Sequence, residues 1–268
     1  QVGPLQLVLF GAADLLADAL GVSGTRLIAL VVGAGIAALF VLVARRLVAP
    51  RESRLVLLAA GLAPVGLGLS FDAFRDGHPA QVVAPLLWVL AGLDARAGHA
   101  WRAGILVGLS AGFELWGLLG VAVLVLSPRA THALRSAAAT VAVVAGPLLP
   151  FVLAGELAMF DYHWQVNGDT LLSLFLEPGS AFTWQWRAIQ SGAAVLAGVA
   201  VAWPLRRSGI ALWAAPLAVV TVRLVLDPVR YPWYWLPLET LALVAAVQLS
   251  TTGVVRSLRA RRLKPIET

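Results

Sequence analysis

Cysteine is absent from these 268 residues, and Lys264 is the one lysine among 20 basic residues. Without thiols the chain forms no disulfide and no thiolate metal site. Charged residues are also scarce, at 13%, which is about half of what a soluble domain carries. No Gly-rich phosphate loop, metal-ligand cluster or Ser-His-Asp spacing stands out. The sequence therefore predicts neither a disulfide scaffold nor an ordinary soluble enzyme.

Apolar residues dominate instead. Sixty per cent of the chain is hydrophobic and the mean hydropathy is +0.85, enough for roughly eight to ten spans at ~20 residues each. We therefore predict an all-α, polytopic membrane bundle with one transmembrane domain over residues 1–268. Nucleic-acid binding is not indicated by the net charge of +6, because the basic residues form short clusters beside apolar runs. The first five residues are typical of the middle of a protein, so we expect further residues upstream.

The charged residues sort to two sides. Basic clusters follow three apolar runs, at residues 45–46, 206–207 and 259–262, whereas residues 155–187 hold Glu156, Asp161, Asp169 and Glu177. Because basic residues beside membrane helices stay in the cytoplasm, residues 155–187 are predicted to be a long outer loop and the basic tail 254–268 to be cytoplasmic. The composition is typical of a high-GC bacterium, and we expect a multi-pass protein of the plasma membrane.

Two segments do not fit simple spans. Residues 1–22 carry Asp14 and Asp18 one turn apart, which favours an interfacial helix on the outer surface. Residues 103–126 have Glu114 at their middle, and a single crossing there would turn the later basic clusters outward. A broken helix pair that enters from the cytoplasm, turns near residues 112–116 and returns keeps these clusters inside. Half-helices of ~16 Å must line a protein cavity at their tip.

Ionisable residues within membrane segments are energetically costly, so each calls for a structural or functional explanation, and Glu114 is the clearest example. It is either a structural acid bonded to amides freed at the break or a group that acts in the cavity. The outer turn offers Asp72, Arg75, Asp76 and His78. These are either solvated loop residues or a polar site at a helix mouth, where His78 carries protons.

Aromatic and polar residues in the outer loop suit sugar binding, because sugar faces pack on rings while hydroxyls bond polar groups. The candidates are Asp161, His163, Trp164, Trp184, Trp186 and Arg187. An aromatic belt at the membrane interface is the equally weighted alternative. Arg223 either holds a phosphate bidentately or pairs with Asp227 at i, i+4. Arg230 and Tyr231 follow at the same mouth.

Four short motifs together resemble one family. They are Gly3-Pro4-Leu5, Gly77-His78-Pro79, Phe113-Glu114-Leu115-Trp116, and Arg223 followed by Asp227-Pro228 and Tyr231-Pro232-Trp233-Tyr234. The chain resembles the later part of a membrane glycosyltransferase of the GT-C fold that uses polyprenyl-phosphate sugars, in particular actinobacterial mannosyltransferases. The family places its catalytic carboxylate in a loop upstream of Gly3. In this chain Asp14, Asp18, Asp72, Asp76 and Glu114 are the substitute candidates, and the catalytic residue stays unassigned.

The resemblance implies inverting sugar transfer from a lipid-linked donor, with mannose as the sugar, to an envelope glycan or glycolipid on the outer face. A carboxylate would deprotonate the acceptor hydroxyl, and Arg223 or Arg230 would steady the leaving phosphate. Outer aromatics such as Trp164 and Trp184 would bind sugar, with Trp116 also in the binding set. No cofactor and no metal are expected, and the partners are membrane lipid and envelope-assembly proteins. A non-catalytic scaffold or a transporter is the competing hypothesis.

Overall fold

Helices account for almost all regular structure. The computed structural model describes residues 3–48, 53–155 and 163–262, and within them the predicted all-α fold is confirmed. The α-helices are α1 Pro4–Leu20, α2 Gly24–Leu47, α3 Ser53–Gly66, α4 Leu69–Arg75, α5 Ala80–Arg96, α6 Ala100–Phe113, α7 Ala130–Leu153, α8 Trp184–Leu205, α9 Ala211–Val225 and α10 Leu236–Arg262. Strands β1 Trp164–Gln165 and β2 Ala181–Phe182 form an antiparallel ribbon, with the 3₁₀ helix Leu171–Leu174 between them.

Four stretches of helix are long and apolar enough to cross a membrane. They are Gly24–Leu47, Arg54–Arg75, Ala130–Leu153 and Trp184–Leu205. On α3, Leu55, Leu58 and Leu62 are 81%, 61% and 67% exposed. Rows of exposed leucines of this kind are typical of a surface that contacts lipid or a partner.

Helix α5 is the centre of the bundle. Residues 80–92 are all buried, including Trp88 at 0% exposed. Helices α2, α6, α9 and α10 pack around it. A helix that is apolar on every side is stable where protein covers every side, which is why this run forms the core although it is only 17 residues long.

The segment around Glu114 is a broken helix pair. Helix α6 ends where Glu114 adopts an extended backbone, with φ −149° and ψ 139°. A 3₁₀ helix, Leu115–Leu126, then runs back along α6, and we call it the return helix. Ser110 Oγ donates to the Gly117 carbonyl at 2.9 Å. In a continuous helix these two residues, seven positions apart, would be separated by ~10 Å along the axis.

The two arms are longer than the sequence predicted. Helix α6 begins at Ala100 and its 14 residues span about 21 Å at 1.5 Å per residue. The 12-residue return helix spans about 24 Å at 2.0 Å per residue. The tighter 3₁₀ winding therefore lets the arm with fewer residues match the other, and both stay shorter than the ~30 Å hydrocarbon core.

Ion pairs join several helix ends at one end of the bundle. Asp94, 2% exposed, accepts a hydrogen bond from Arg46 at 3.0 Å and lies 3.6 Å from Arg102. Arg96 donates to the Ser208 carbonyl at 3.0 Å. The C-termini of α2, α5 and α8 and the start of α6 therefore meet, and we call this the basic end. Two of the predicted basic clusters, residues 45–46 and 206–207, therefore lie at the same end of the bundle.

Helix α7 also starts at the basic end. A Cβ atom on Gly98 would lie 3.3 Å from Nδ1 of His132, so the residues after the return helix are close to the α5–α6 turn. The chain thus leaves the basic end along α6 and comes back to it, as the broken pair predicts.

This path makes a topology prediction. Because the chain has no cysteine, single cysteines can be labelled cleanly at two exposed positions, Thr131→Cys near the basic end and Asn167→Cys in the loop after β1. We expect a membrane-impermeant maleimide applied to intact spheroplasts to label only the protein carrying Asn167→Cys. Inverted vesicles should give the reverse pattern. Equal labelling of both variants from the outside would contradict the broken pair as a membrane hairpin.

Candidate functional site

A cavity of about 510 Å³ lies at the end of the bundle opposite the basic end. Its wall comes from the first turn of α5, the break, β1, the first turns of α8, the end of α9 and the 3₁₀ helix Pro232–Trp235. Helix α5, about 26 Å long, separates this cavity from Asp94. The volume falls within the ~300–1,000 Å³ that small-molecule sites occupy.

Glu114 is buried at the cavity wall and is 4% exposed. Its Oε2 accepts hydrogen bonds from Gln81 Nε2 at 2.7 Å and from the Trp116 indole nitrogen. Its Oε1 lies 2.8 Å from His78 Nδ1. Three donors therefore surround the carboxylate, which is how a buried acid is tolerated. For a structural acid the sequence predicts backbone amides at the helix break as partners. All three of these donors are instead side chains.

His78 lies at the start of α5 and is fixed on several sides. Gly77 has φ +72°, a conformation that favours glycine, and it turns the chain into the helix. The His78 ring stacks on Trp233 with centroids 4.9 Å apart and an interplanar angle of 16°. Trp233 in turn stacks on Tyr231 at 4.5 Å and 5°. The imidazole is therefore part of a stack of rings that lines the cavity.

Arg223 projects from the last turn of α9 into the cavity wall. Its guanidinium lies over the rings of Trp116, at 4.6 Å, and Tyr234, at 5.2 Å. Nη1 is buried and has no hydrogen-bond partner in the described part of the chain. A buried donor without a partner costs about 1–3 kcal/mol, so the guanidinium of Arg223 has unused hydrogen-bonding capacity at the cavity wall.

The sequence left two alternatives open for Arg223, a phosphate site or a pair with Asp227. The structure does not contain the Arg223–Asp227 pair. Helix α9 ends at Val225, so the i, i+4 geometry is lost. Asp227 Oδ1 accepts the Val229 backbone N–H at 3.3 Å, and Oδ2 lies 3.5 Å from Gln190 Nε2. Burial raises the pKa of Asp227, and the charge of Arg223 opposes that shift. Burial likewise raises the pKa of Tyr234.

Gln190 closes the end of α9. Its Nε2 donates to the carbonyls of Arg223 at 2.9 Å and Leu226 at 3.0 Å. Carbonyls in the last turn of a helix lack intrahelical partners, so this amide satisfies them from α8. The contact fixes the backbone that carries Arg223.

The N-terminal residues pack onto the same site. The Gly3 backbone N–H donates to the Phe113 carbonyl at 2.7 Å, and Gln6 Nε2 donates to the Gly77 carbonyl at 2.8 Å. Three segments far apart in sequence thus meet at the break. The four motifs on which the family resemblance rests all lie at this end of the molecule.

The cavity gathers eight of the residues that the sequence singled out. They are His78, Glu114, Trp116, Trp164, Trp184, Arg187, Arg223 and Tyr231. Asp227 lies behind the wall, and His163, Trp186 and Arg230 are exposed and do not line the cavity. Asp161 lies outside the described residues. Trp184 and Trp186 belong to the first turn of α8 and not to the predicted loop.

The remaining carboxylate candidates lie elsewhere. Asp14 and Asp18 are exposed on α1. The Asp14 carboxylate packs against Gly24, at the start of α2, so closely that a Cβ atom there would clash with it. Asp72 and Asp76 both pair with Arg75, at 3.1 Å and 2.9 Å. None of the four lines the cavity, so Glu114 is the one of these candidates that does.

Sequence reasoning missed several cavity residues. Gln81, Gln190 and Ser191 line the cavity but were not among the candidates, and Trp233 and Tyr234 were quoted only as part of a motif. The available signal was a glutamine three residues after a candidate residue and near the start of a helix: Gln81 follows His78, and Gln190 follows Arg187.

Comparisons with known proteins give no match: no protein-family model, no curated protein and no solved structure matches this chain. Among the described residues no group of three His, Asp or Glu side chains is arranged to hold a metal ion.

The raised pKa of Asp227 makes a prediction for Asp227→Asn. A carboxyl whose pKa is higher in the folded protein favours folding when protonated, so that stability is present at low pH and is lost as pH rises. We expect the apparent Tm of the unaltered protein in detergent to fall relative to that of Asp227→Asn between pH 4 and pH 8. Asp169→Asn, at an exposed carboxylate, controls for loss of charge. Parallel curves for the unaltered protein and Asp227→Asn would contradict the burial argument.

Proposed function

We propose that this chain is a membrane glycosyltransferase, or part of one, which transfers a sugar from a polyprenyl-phosphate donor to an envelope glycan or glycolipid. The observation that carries the proposal is the cavity in which Arg223, with its unpartnered Nη1, lies beside aromatic rings and hydrogen-bonding groups. Mannose as the sugar, and an actinobacterial source, rest on the resemblance to GT-C mannosyltransferases.

The proposed location is the bacterial plasma membrane, with several spans and a cytoplasmic C-terminus. Four apolar stretches of helix have the length to cross, and basic helix ends stay in the cytoplasm. The cavity lies opposite the basic end, so this orientation turns it outward.

Charge in the cavity favours an anionic ligand. Two arginines, Arg187 and Arg223, line it together with one carboxylate, Glu114, and the carboxylate is already bonded by three donors. Arginine binds phosphate oxygens in a fixed, planar geometry. The phosphate of a lipid-linked sugar is accordingly assigned to Arg223, whose orientation is held by two rings.

A sugar needs a ring whose face is not already covered. Trp233 packs on both His78 and Tyr231, and Trp116 packs under Arg223. Trp184 lines the cavity and is 52% exposed. We therefore assign the sugar face to Trp184, with Ser191 and Gln190 nearby on α8 as hydrogen-bonding groups.

The reaction itself is a displacement at the anomeric carbon. The acceptor hydroxyl oxygen forms the new bond while the bond to the phosphate oxygen breaks, and the phosphate leaves with the electron pair. Arg223 stabilises the charge that develops on the phosphate. A transporter would need a site that opens to both faces in turn, whereas this cavity lies at one end of the bundle.

Arg223→Gln tests the assignment, with Arg230→Gln as the matched control because Arg230 is exposed and outside the cavity wall. Loss of a charge-assisted hydrogen bond removes about 1.5–3 kcal/mol, so the Kd for polyprenyl phosphate should rise roughly 10- to 100-fold. Quenching of tryptophan fluorescence measures the Kd. Arg230→Gln should leave it within about twofold.

Transfer is measured separately, with radiolabelled polyprenyl-phosphate mannose and an envelope lipid extract as acceptor. The proposal expects labelled product that disappears with Arg223→Gln. An unaltered Kd for Arg223→Gln would contradict the phosphate site. Donor binding without any transfer would favour the non-catalytic scaffold.

A further inference from the structure

His78 and Glu114 form a hydrogen-bonded pair at the cavity wall, with Nδ1 and Oε1 2.8 Å apart. We infer that His78 is the catalytic residue that accepts the proton of the acceptor hydroxyl, and that Glu114 is its positioning residue. This inference rests on the proposed function, since it identifies the base for the same transfer.

Glu114 itself is a poor proton acceptor for a substrate. Both of its oxygens are engaged, Oε1 with His78 and Oε2 with Gln81 and Trp116, and its side chain is 6% exposed. The carboxylate is therefore hydrogen-bonded by three side chains at the cavity wall. A substrate hydroxyl would have to displace one of these donors to reach it.

His78 has the opposite situation. Its side chain is 20% exposed and lines the cavity. Nδ1 faces Glu114 at 2.8 Å, whereas Nε2 bonds no other described residue. When Nδ1 carries the proton and donates it to the carboxylate, Nε2 holds the free lone pair.

The ring is also held rigidly, as an effective base requires. Trp233 covers its face, and the His78 backbone N–H donates to the Ala73 carbonyl at 2.9 Å. The left-handed turn at Gly77 is fixed by Gln6, which bonds the Gly77 carbonyl. These backbone bonds fix the position of His78 relative to α4 and α1, and the stack on Trp233 and the bond to Glu114 orient its ring.

The proton balance of the step is complete. The acceptor oxygen bonds to the anomeric carbon, its proton moves to Nε2, and the departing phosphate takes the electron pair of the broken bond. The imidazolium is stabilised by Glu114, and it later returns the proton to water or to the phosphate. No oxidant, metal or further reactant is needed.

Several charged or titratable groups face the same space as His78. Besides Glu114 from the break, they are Arg187 from α8, Arg223 from α9, and Tyr231 and Tyr234 near the 3₁₀ helix. Asp76, two residues earlier, is paired with Arg75. A change in activity can therefore be assigned to His78 only by removing its imidazole while these other groups stay in place.

The test compares His78→Gln and Glu114→Gln with His163→Gln, which alters an exposed histidine outside the cavity wall. His78→Gln should lower kcat for mannosyl transfer by roughly 10²–10⁴-fold and leave the Kd for polyprenyl phosphate within about twofold. Glu114→Gln should lower kcat by a smaller factor, and His163→Gln should change neither constant.

A second measurement uses the unaltered protein and does not depend on a folded variant. Diethyl pyrocarbonate should acylate Nε2 of His78, with loss of transfer at the rate at which the His78 peptide gains mass, and polyprenyl phosphate should slow both. Full transfer by a protein modified at His78, or by His78→Gln, would overturn the inference while the proposed function stands. Absence of transfer and of donor binding by the unaltered protein would overturn the proposed function, and the inference with it.

Discussion

Burial of the Glu114 carboxylate at a helix break is the constraint on which the cavity end of this bundle depends. A buried acid must be hydrogen-bonded, and its donors come from the first turn of α5 and from Trp116. The turn at Gly77 and the start of α1 are held against these groups. Cavity-lining residues from distant parts of the chain are thus fixed by one polar cluster.

The second constraint is the separation of the two ends by α5. This helix is covered on all sides, and its ends differ in charge: His78 leads into the cavity, while Asp94 binds Arg46 and Arg102 at the basic end. A rigid, buried core helix carries both sites, so the cavity and the basic end cannot approach each other. That polarity fits the proposed function, in which the chemistry takes place at one face of the membrane.

The path of the chain could be predicted because it follows from charge sorting and hydropathy, which are local properties of the sequence. The turn within residues 112–116 came from the placement of the basic clusters and is found at Glu114. The 3₁₀ winding of the return helix was not predictable in this way, since its apolar residues suit either winding. It is held by close packing, such as Gly120 against Trp88.

The candidate site was predictable in its residue types but not in its contacts. Polar residues in apolar runs identified Glu114 and Arg223. Two of the partners of Glu114, His78 and Gln81, are 36 and 33 positions away, and Gln190 is 37 positions from Asp227, so sequence spacing did not predict these contacts. Spacing along a helix allowed an Arg223–Asp227 pair as one of two alternatives, and the end of α9 at Val225 removes that pair. Asp72 and Asp76 had the right type but pair with Arg75.

The most direct test of the account is a cryo-electron microscopy map of the protein with polyprenyl-phosphate mannose. We expect phosphate density about 2.7–3.2 Å from Nη1 of Arg223, with the sugar against Trp184 and the lipid leaving the cavity between helices. Donor density at the basic end, or on the outside of the bundle with an empty cavity, would contradict it.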